Sequence, residues 1–568
     1  MFVTATFYIA LPIVTQALHI FYWPVLAIVT LFFITLLVYF FYKNKNIFNI
    51  SSIRQVTSVN WLFFVATGII VFQLVSVHFD YNGVLQTYQG AVTVSHNSST
   101  YPYFSDEWVT VGLVKYSIAH NALPLVNPLY HNVPFPNILF AFSSTLAGIF
   151  ILTGLDPLTN YWILNVLFAL IMCWSLFVLL RVYKVSRPLS AASMLLVLYI
   201  VSSGNLPGLW NLLPFTLGAI FLLWQIIAQE LGSYNYAVGF SVLALIMYPP
   251  MAVFSILALF VQAVVGGRID YRKYLAPFGV CAGIFATIFL FVFYHSNTTV
   301  LVILSKYIIR PNLDPGIVSY DVWNVLPLVV LPFVALGMFY IFKKRHHVLV
   351  AVVGIGTLYW LVYVFVNKVF IIEYSRIVFM TSLFLVTLAG LGLEYAVRVT
   401  GDMVGNKIKN FKTESIATGV GVFAVIICIL ISPWYTTGTT WKKLVLTMTD
   451  SVGHYSVFAP TSPVTAYLTP DDIRLFSDIH GENFLAPQWK GLAVGVATGN
   501  FPLETKPSTI TNRYVLYHDF MKADCVTKSR IATTTHTQFV YSEKFNCPGF
   551  DIAGSSTENL FLYKTNML

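Results

Sequence analysis

Residues 161–181 read YWILNVLFALIMCWSLFVLLR, an apolar run whose one charged side chain, Arg181, stands at its end. A helix needs about 20 mostly apolar residues to cross the hydrocarbon core of a bilayer, so the run predicts a transmembrane helix. Eleven to thirteen such segments follow one another along the chain, the clearest near 22–42, 57–78, 134–154, 161–181, 205–229, 236–266, 275–295, 323–342, 348–369, 376–397 and 416–433.

Three segments leave the number of helices open. Residues 6–21 form either an extra helix or the start of the first one, and residues 188–203 are short for a span. Pro249 and Pro250 interrupt the segment 236–266. Because proline cannot donate the backbone hydrogen bond that a helix interior requires, this segment is either one kinked helix or two half-helices.

The composition agrees with a membrane protein. Of the 568 residues, 57% are hydrophobic and 10% are charged, and the mean hydropathy is +0.75, whereas soluble domains carry about 25% charged residues. The formal net charge is +9, which basic cytoplasmic loops explain. The chain has no basic stripe with interleaved aromatic residues, so no nucleic-acid partner is expected.

Lysine and arginine cluster in short loops, which the positive-inside bias assigns to the cytoplasm. Four loops carry such clusters: Lys43, Lys45 and Arg54; Arg268, Arg272 and Lys273; Lys343, Lys344 and Arg345; Arg398, Lys407, Lys409 and Lys412. With these loops inside, the loop 79–133 and the C-terminal region lie outside. Arg181, Lys184 and Arg187 form a further cluster, which is external if 134–154 is a full span and internal if it is not.

The predicted fold is an all-α polytopic membrane protein with a small extracytoplasmic α+β domain. The transmembrane domain covers residues 1–433 and includes the external loop 79–133, and the C-terminal domain covers residues 434–568. This last region is rich in Thr, Ser, Gly, Pro and Asn, and its short runs 513–517 and 538–541 are typical of strands between turns.

Cys525 and Cys547 are the two cysteines of the C-terminal region. They form a disulfide if the domain faces an oxidising compartment, and otherwise they are two free thiols. The five cysteines of the chain lack metal-ligand spacing, so the sequence predicts no metal site. It also lacks a nucleotide-binding Gly-rich loop, a Gly-x-Ser-x-Gly elbow and a His-Glu-x-x-His helix, so the ATPase, serine-hydrolase and zincin classes are without their signatures.

The sequence Tyr-Phe-Ser-Asp-Glu-Trp at 103–108 opens a stretch to His120 that predicts an amphipathic helix in the external loop. Asp106 and Glu107 then lie at the outer membrane surface. Adjacent carboxylates there suit general-base catalysis, since partial burial and mutual repulsion raise one pKa towards neutrality. The alternative is structural, because Ser105 is a good N-cap and the helix dipole favours acidic residues in the first turn.

Cations also stand at external positions, against the positive-inside bias. Lys306 and Arg310 lie in an external stretch, and Arg376 follows Glu373 at the external start of a helix. Such cations suit a phosphate group at the membrane surface, although snorkelling or an ion pair between Glu373 and Arg376 also explains them.

The two histidines of the external loop are further candidates. His120 ends the predicted helix, and His131 lies in the Pro-rich stretch that leads back into the membrane. Each is either a contact to a ligand or a solvated loop residue.

Four features together resemble the GT-C superfamily of integral-membrane glycosyltransferases, which includes protein O-mannosyltransferases and the lipid A aminoarabinose transferase. These features are an early external loop with the acidic pair of Ser105-Asp106-Glu107, a Leu-Pro-x-x-Asn-Pro element at Leu123–Pro128, a Pro-led helix from Pro134, and a Glu-Tyr-x-Arg element at Glu373–Arg376 that opens a helix. The resemblance spans roughly residues 60–400 as architecture.

The resemblance implies an inverting transfer of a sugar from a polyprenyl-phosphate carrier to a glycan, lipid or protein acceptor on the external face. In this scheme Asp106 is the base on the acceptor hydroxyl, Glu107 assists or binds substrate, and Arg376 contacts the donor phosphate. Lys306 and Arg310 join them by position, without a motif match. Some members need a divalent metal, so the resemblance leaves the cofactor open.

Two other functions compete with this one. A lipid-linked sugar flippase or transporter should carry charged residues near the bilayer midplane, whereas most charges of this chain cluster at predicted helix ends. A membrane-anchored cell-envelope assembly protein would act through its C-terminal domain. In each case the expected location is the plasma membrane, with the C-terminal domain outside.

Overall fold

Helices make up most of the chain in the computed structural model. The structure describes residues 2–43, 58–79, 81–87, 90–200, 209, 211–265, single positions between 279 and 294, 309–311, 330–366, 368–372, 374–405, 413–430, 464–465, 467–505 and 516–566. Several predictions fall outside these residues: Lys306, Glu373, most of the segment 275–295, the first part of 323–342, the start of the C-terminal domain, and the loop cations Lys45, Arg54, Arg268, Arg272, Lys273, Lys407, Lys409 and Lys412.

The described helices, in chain order, are α1 (Phe2–Ala17), α2 (Trp23–Lys43), α3 (Trp61–Phe79), α4 (Ser105–His120), α5 (Phe140–Thr153), α6 (Pro157–Val182), α7 (Arg187–Leu195), α8 (Pro214–Glu230), α9 (Tyr234–Met247), α10 (Ala252–Val265), α11 (Leu331–Lys344), α12 (His347–Val366), α13 (Tyr374–Gly405), α14 (Thr413–Leu430), α15 (Pro470–Leu475), α16 (Gln488–Thr498), α17 (Leu516–Lys522) and α18 (Cys525–Thr534).

The described strands are β1 (Tyr81–Thr87), β2 (Gly90–Asn97), β3 (Val126–Asn127), β4 (Val133–Pro134), β5 (Ile309–Pro311), β6 (Lys368–Phe370), β7 (Val464–Thr465), β8 (Asn483–Leu485), β9 (Phe501–Pro502), β10 (Phe539–Ser542), β11 (Phe550–Ser555) and β12 (Phe561–Thr565).

Three of the described helices are long and apolar enough to cross a membrane, with spans at Trp23–Phe40, Pro157–Val182 and Arg376–Met403. Helix α6 shows why such a helix begins where it does. Asp156 precedes it and accepts the backbone N–H of Thr159 at 3.1 Å, and a proline occupies its first position, which is the favoured arrangement at a helix start. Eight further apolar helices of the described chain are shorter, so the full number of spans stays a prediction.

The Pro249-Pro250 segment is two half-helices. Helix α9 ends at Met247, α10 begins at Ala252, and a 3-10 turn joins them. The hydroxyl oxygens of Ser241 in α9 and Ser255 in α10 lie 2.6 Å apart, so the two helices contact each other across the turn. At the N-terminus, α1 is likewise a helix separate from α2.

The helix predicted from Pro134 begins later, at Phe140. Pro134 itself lies in β4, which pairs antiparallel with β3. A second proline follows two positions later, and the residue before a proline disfavours helical backbone, so the helix does not start here. The side chain of Asn137 accepts the N–H of Leu139 at 3.1 Å and donates to the carbonyl of Pro124 at 2.9 Å. Helix α5 has 14 residues, about 21 Å at about 1.5 Å per residue, which is shorter than the hydrocarbon core.

The basic cluster at 181–187 lies beside Arg398. The Arg398 guanidinium donates to the carbonyl oxygen of Lys184 at 2.8 Å, and the backbone N–H of Ser186 donates to Glu394 at 2.8 Å. These contacts place the cluster at the end of the bundle where Arg398 lies. This agrees with the predicted internal position of the cluster, which applies if 134–154 is not a full span.

The loop 343–345 lies at the same end. Next to it, His346 Nδ1 is 3.5 Å from a carboxylate oxygen of Glu230, and the hydroxyl of Tyr183 donates to the other oxygen at 3.2 Å. We call this end of the helix bundle the basic end. It is defined by Arg181, Lys184, Arg187, Lys343, Lys344, Arg345 and Arg398. Helices α6, α8 and α13 all begin at the opposite end, which we call the loop end.

The C-terminal domain contains a five-stranded sheet in the order β11-β12-β10-β8-β9. Strand β10 pairs antiparallel with β12 and parallel with β8. Helices α15–α18 belong to the same region of the chain. The strand predicted at 538–541 corresponds to β10. The strand predicted at 513–517 is wrong at Leu516 and Tyr517, which begin α17, and its other residues lie outside the described chain. Cys525 and Cys547 are joined by a disulfide, with Cα atoms 5.3 Å apart.

A buried ion cluster lies inside this domain. Lys490 is 2.6 Å from Asp472 and also pairs with Glu558, and the hydroxyl of Tyr541 donates to Asp472 at 2.5 Å. The side chains of Lys490 and Asp472 are buried to 2% and 0% exposure. The cluster therefore gives Lys490 a packing role inside the domain.

We expect Lys490→Met to lower the free energy of unfolding of this domain by about 3–5 kcal/mol, because it leaves buried carboxylates without their cation. Pulse proteolysis of the detergent-solubilised chain in increasing urea measures the change. Lys522→Met, at an exposed position of the same domain, is the control. Equal urea midpoints for the two variants would contradict the prediction.

Candidate functional site

Helix α4 carries the acidic pair in the loop 79–133. Phe104 occupies its N-cap position with extended backbone, and Ser105 is the first helical residue, so the expected N-cap role of Ser105 is wrong. Glu107, in the first turn, reaches back to the residues before the helix: one of its oxygens accepts the backbone N–H groups of Tyr103 and Phe104 at 3.2 and 3.3 Å. The helix ends at Asn121, whose left-handed backbone stops it.

The Glu107 carboxyl group also links the loop to the bundle. Its second oxygen accepts the N–H of Leu212 at 3.0 Å, two residues before α8 begins, and Tyr161 of α6 donates to the carbonyl of the same Leu212 at 2.7 Å. Glu107 is 4% exposed. Burial raises its pKa to about 8, although the three N–H donors act in the opposite direction. These are the contacts of a group that positions the helix.

Asp106, the neighbouring residue, is partly exposed and lies beside a cation. Its carboxylate lies 3.6 Å from the guanidinium of Arg376, which opens α13, and the two side chains are 39% and 15% exposed. The residues are 270 positions apart in the sequence. The structure thus brings together two of the residues that the sequence singles out and leaves the carboxylate accessible.

The other candidate residues are distributed as follows. Arg310 lies in β5, where its backbone pairs with Val369 of β6, the strand that leads to α13. His120 is exposed at the end of α4, with its ring 4.5 Å from that of Tyr116. His131 is exposed as well, and its ring lies 4.1 Å from Phe501 of the C-terminal domain.

Sequence reasoning missed the backbone of Leu212 and the fully buried Tyr161 as partners of the acidic helix. Neither has a signal in the sequence, because a backbone N–H is common to almost all residues and Tyr161 lies inside an apolar run. In the part of the chain that the structure describes, no group of three His, Cys, Asp or Glu side chains could hold a metal ion, and the requirement for a metal stays open.

No family model matches the chain, and no curated protein matches it. Among solved structures it is similar to the apo oligosaccharyltransferase of Archaeoglobus fulgidus, at 10% identity and a TM-score of 0.45, over 85% of this chain and 69% of that one. The oligosaccharyltransferase AglB of the same organism, in complex with an inhibitory peptide and a dolichol-phosphate, has the same identity and coverage and a TM-score of 0.47.

The arabinosyltransferase EmbB of Mycobacterium smegmatis is similar at 12% identity and a TM-score of 0.37, over 68% of this chain and 39% of that one. These neighbours are glycosyltransferases, the class that the sequence resemblance names.

Glu107 predicts a pH dependence of stability. Between its ordinary pKa of 4.5 and its raised pKa of about 8, the folded chain keeps a proton that the unfolded chain has lost. We therefore expect the stability of the wild type, relative to Glu107→Gln, to fall as the pH rises through this range and to level off above it. The thermal unfolding midpoints of both proteins, measured from about pH 5 to about pH 9, test this.

The glutamine variant keeps one acceptor oxygen and cannot titrate. The contact that it loses therefore changes the difference between the two unfolding midpoints by the same amount at every pH. A difference between the two midpoints that stays the same over the whole pH range would show that Glu107 has no raised pKa.

Proposed function

We propose that the chain is an integral-membrane glycosyltransferase, which moves a sugar from a polyprenyl-phosphate donor to an acceptor hydroxyl with inversion. The observation that carries the proposal is the pairing of the Asp106 carboxylate with the Arg376 guanidinium at 3.6 Å. An accessible carboxylate beside a partly buried guanidinium combines a general base with a phosphate ligand, which are the two groups that this reaction requires.

In the proposed step, Asp106 takes the proton of the acceptor hydroxyl. At the same time the oxygen of that hydroxyl attacks the anomeric carbon. The bond between that carbon and the phosphate oxygen breaks on the opposite side, and polyprenyl phosphate leaves with the electron pair. Arg376 stabilises the negative charge on the departing phosphate, because a guanidinium binds phosphate oxygens through two parallel N–H donors.

Glu107 has a positioning role in this proposal. Its carboxyl group is occupied by three backbone N–H groups, so it holds the start of α4 against α8. Arg310 and Lys306 are proposed as further donor-phosphate contacts, and Glu373, His120 and His131 as substrate contacts. The pairing of β5 with β6 supports Arg310, since it brings that strand next to the segment before Arg376.

The orientation of the chain follows from its charges. The basic end gathers Arg181, Lys184, Arg187, Lys343, Lys344, Arg345 and Arg398, and the positive-inside bias assigns this end to the cytoplasm. Asp106 and Arg376 lie at the loop end. The proposed reaction therefore takes place on the outer face of the plasma membrane, on the side of the C-terminal domain.

Asp106→Asn should lower the transfer rate by about 100-fold or more, because a positioned general base contributes about that much. The assay follows a radiolabelled sugar from a panel of polyprenyl-phosphate sugars to acceptor in proteoliposomes. Asp478→Asn, at an exposed position of the C-terminal domain, is the matched control. Equal rates for wild type and Asp106→Asn would assign the base elsewhere, and movement of the lipid-linked sugar without bond cleavage would favour a flippase.

Arg376→Gln should also lower the transfer rate by about 100-fold, because a donor aimed at developing negative charge contributes about that much. Arg376→Lys keeps the charge and loses the planar fork, so we expect an intermediate rate. Arg530→Gln, an exposed arginine of the C-terminal domain, is the control. A lysine variant no faster than the glutamine variant would indicate that the charge at this position does not assist the leaving group.

A further inference from the structure

The C-terminal domain contacts the acidic helix through a lysine that no step of the proposed reaction uses. Lys115 of α4 donates from Nζ to the carbonyl oxygens of Val496 and Ala497, at 2.8 and 3.0 Å. These carbonyls belong to the last turn of α16, where backbone acceptors lack helical partners and the helix dipole attracts a cation. The lysine thus closes a helix end that lies more than 380 residues further along the chain.

The two helices approach closely at this contact. A Cβ atom on Gly112, one turn before Lys115, would lie 3.2 Å from a methyl group of Val496, which is tighter than an ordinary contact. His131, beyond the end of α4, adds a ring contact to Phe501 in the same domain. The domain therefore contacts the loop at several positions.

The position of Lys115 on the helix gives this contact a consequence for Asp106. The two residues are nine positions apart, which at about 100° per residue puts them on opposite faces of the helix. Asp106 faces Arg376, and Lys115 faces the C-terminal domain. A rotation of the helix about its axis that moves Lys115 away from α16 also turns the Asp106 carboxylate away from the guanidinium.

We propose that Lys115 is a positioning residue, through which the C-terminal domain fixes the rotation of α4 and so aims the Asp106 carboxylate. The inference rests on the proposed function of Asp106. The contacts of Lys115 to the domain do not depend on that function, since the folded chain makes them without substrate. Glu107 holds the start of the same helix against the bundle, and the two attachments together define its axis and its rotation.

The experiment compares Lys115→Met, Lys115→Arg and the control Lys522→Met in the full-length chain. For Lys115→Met we expect kcat for sugar transfer to fall by about 10- to 100-fold, since small misplacements of a catalytic group have effects of that size. The KM for the polyprenyl-phosphate sugar should stay the same, because Arg376 is untouched. Lys115→Arg should recover most of kcat, since its guanidinium also reaches the helix end.

Amide hydrogen exchange over residues 105–120 gives a readout that is independent of transfer. We expect faster exchange in Lys115→Met than in Lys115→Arg or Lys522→Met. Unchanged exchange and unchanged kcat in Lys115→Met would overturn the inference, and so would an equal loss of kcat in Lys115→Arg and Lys115→Met. If wild type transfers no sugar, the proposed function fails, and the exchange rates still decide whether Lys115 attaches the helix to the domain.

Discussion

The lipid that surrounds most of the chain is the constraint on which the rest of the structure depends. In a bilayer each backbone polar group needs a partner within the protein, so the apolar segments form helices, and charged groups are expelled to helix ends. Some polar side chains inside the bundle bond to neighbouring helices, as where Gln225 donates to the Ser255 carbonyl at 2.8 Å and accepts its hydroxyl. The charged groups of the proposed reaction therefore lie at one end of the bundle.

The helices and the acidic helix of the loop could be predicted because both depend on local patterns. Apolar runs of spanning length, and the acidic first turn at Asp106 and Glu107, indicate helices without any knowledge of their neighbours. The amphipathic character predicted for the acidic helix is wrong, because its neighbours bury Thr110 and Ser117 as well as Trp108. The prediction was wrong where a local rule competes with hydropathy. Pro134 stands in an apolar run, yet a short hairpin forms there and the helix starts only at Phe140.

The pairing of Asp106 with Arg376 could not be derived from sequence patterns alone, since it depends on which helix ends meet. Hydropathy locates each helix in the membrane but does not identify its neighbours. The same reason explains why the cluster at 181–187 stayed ambiguous, because its contacts to Arg398 and Glu394 decide at which end of the bundle it lies. The lysines and arginines of one loop are a weak signal by themselves, and contacts between distant segments cannot be derived from that count.

Adjacent acidic residues on a helix have different environments for a geometric reason. Neighbouring side chains point about 100° apart, so the two members of the pair face different surroundings. Glu107 takes the inward position, where backbone N–H groups bind both of its oxygens, and this leaves the more exposed position to Asp106. The acid that holds the helix and the acid that we propose as the base are then separate groups, so the first can be fully bonded without weakening the second.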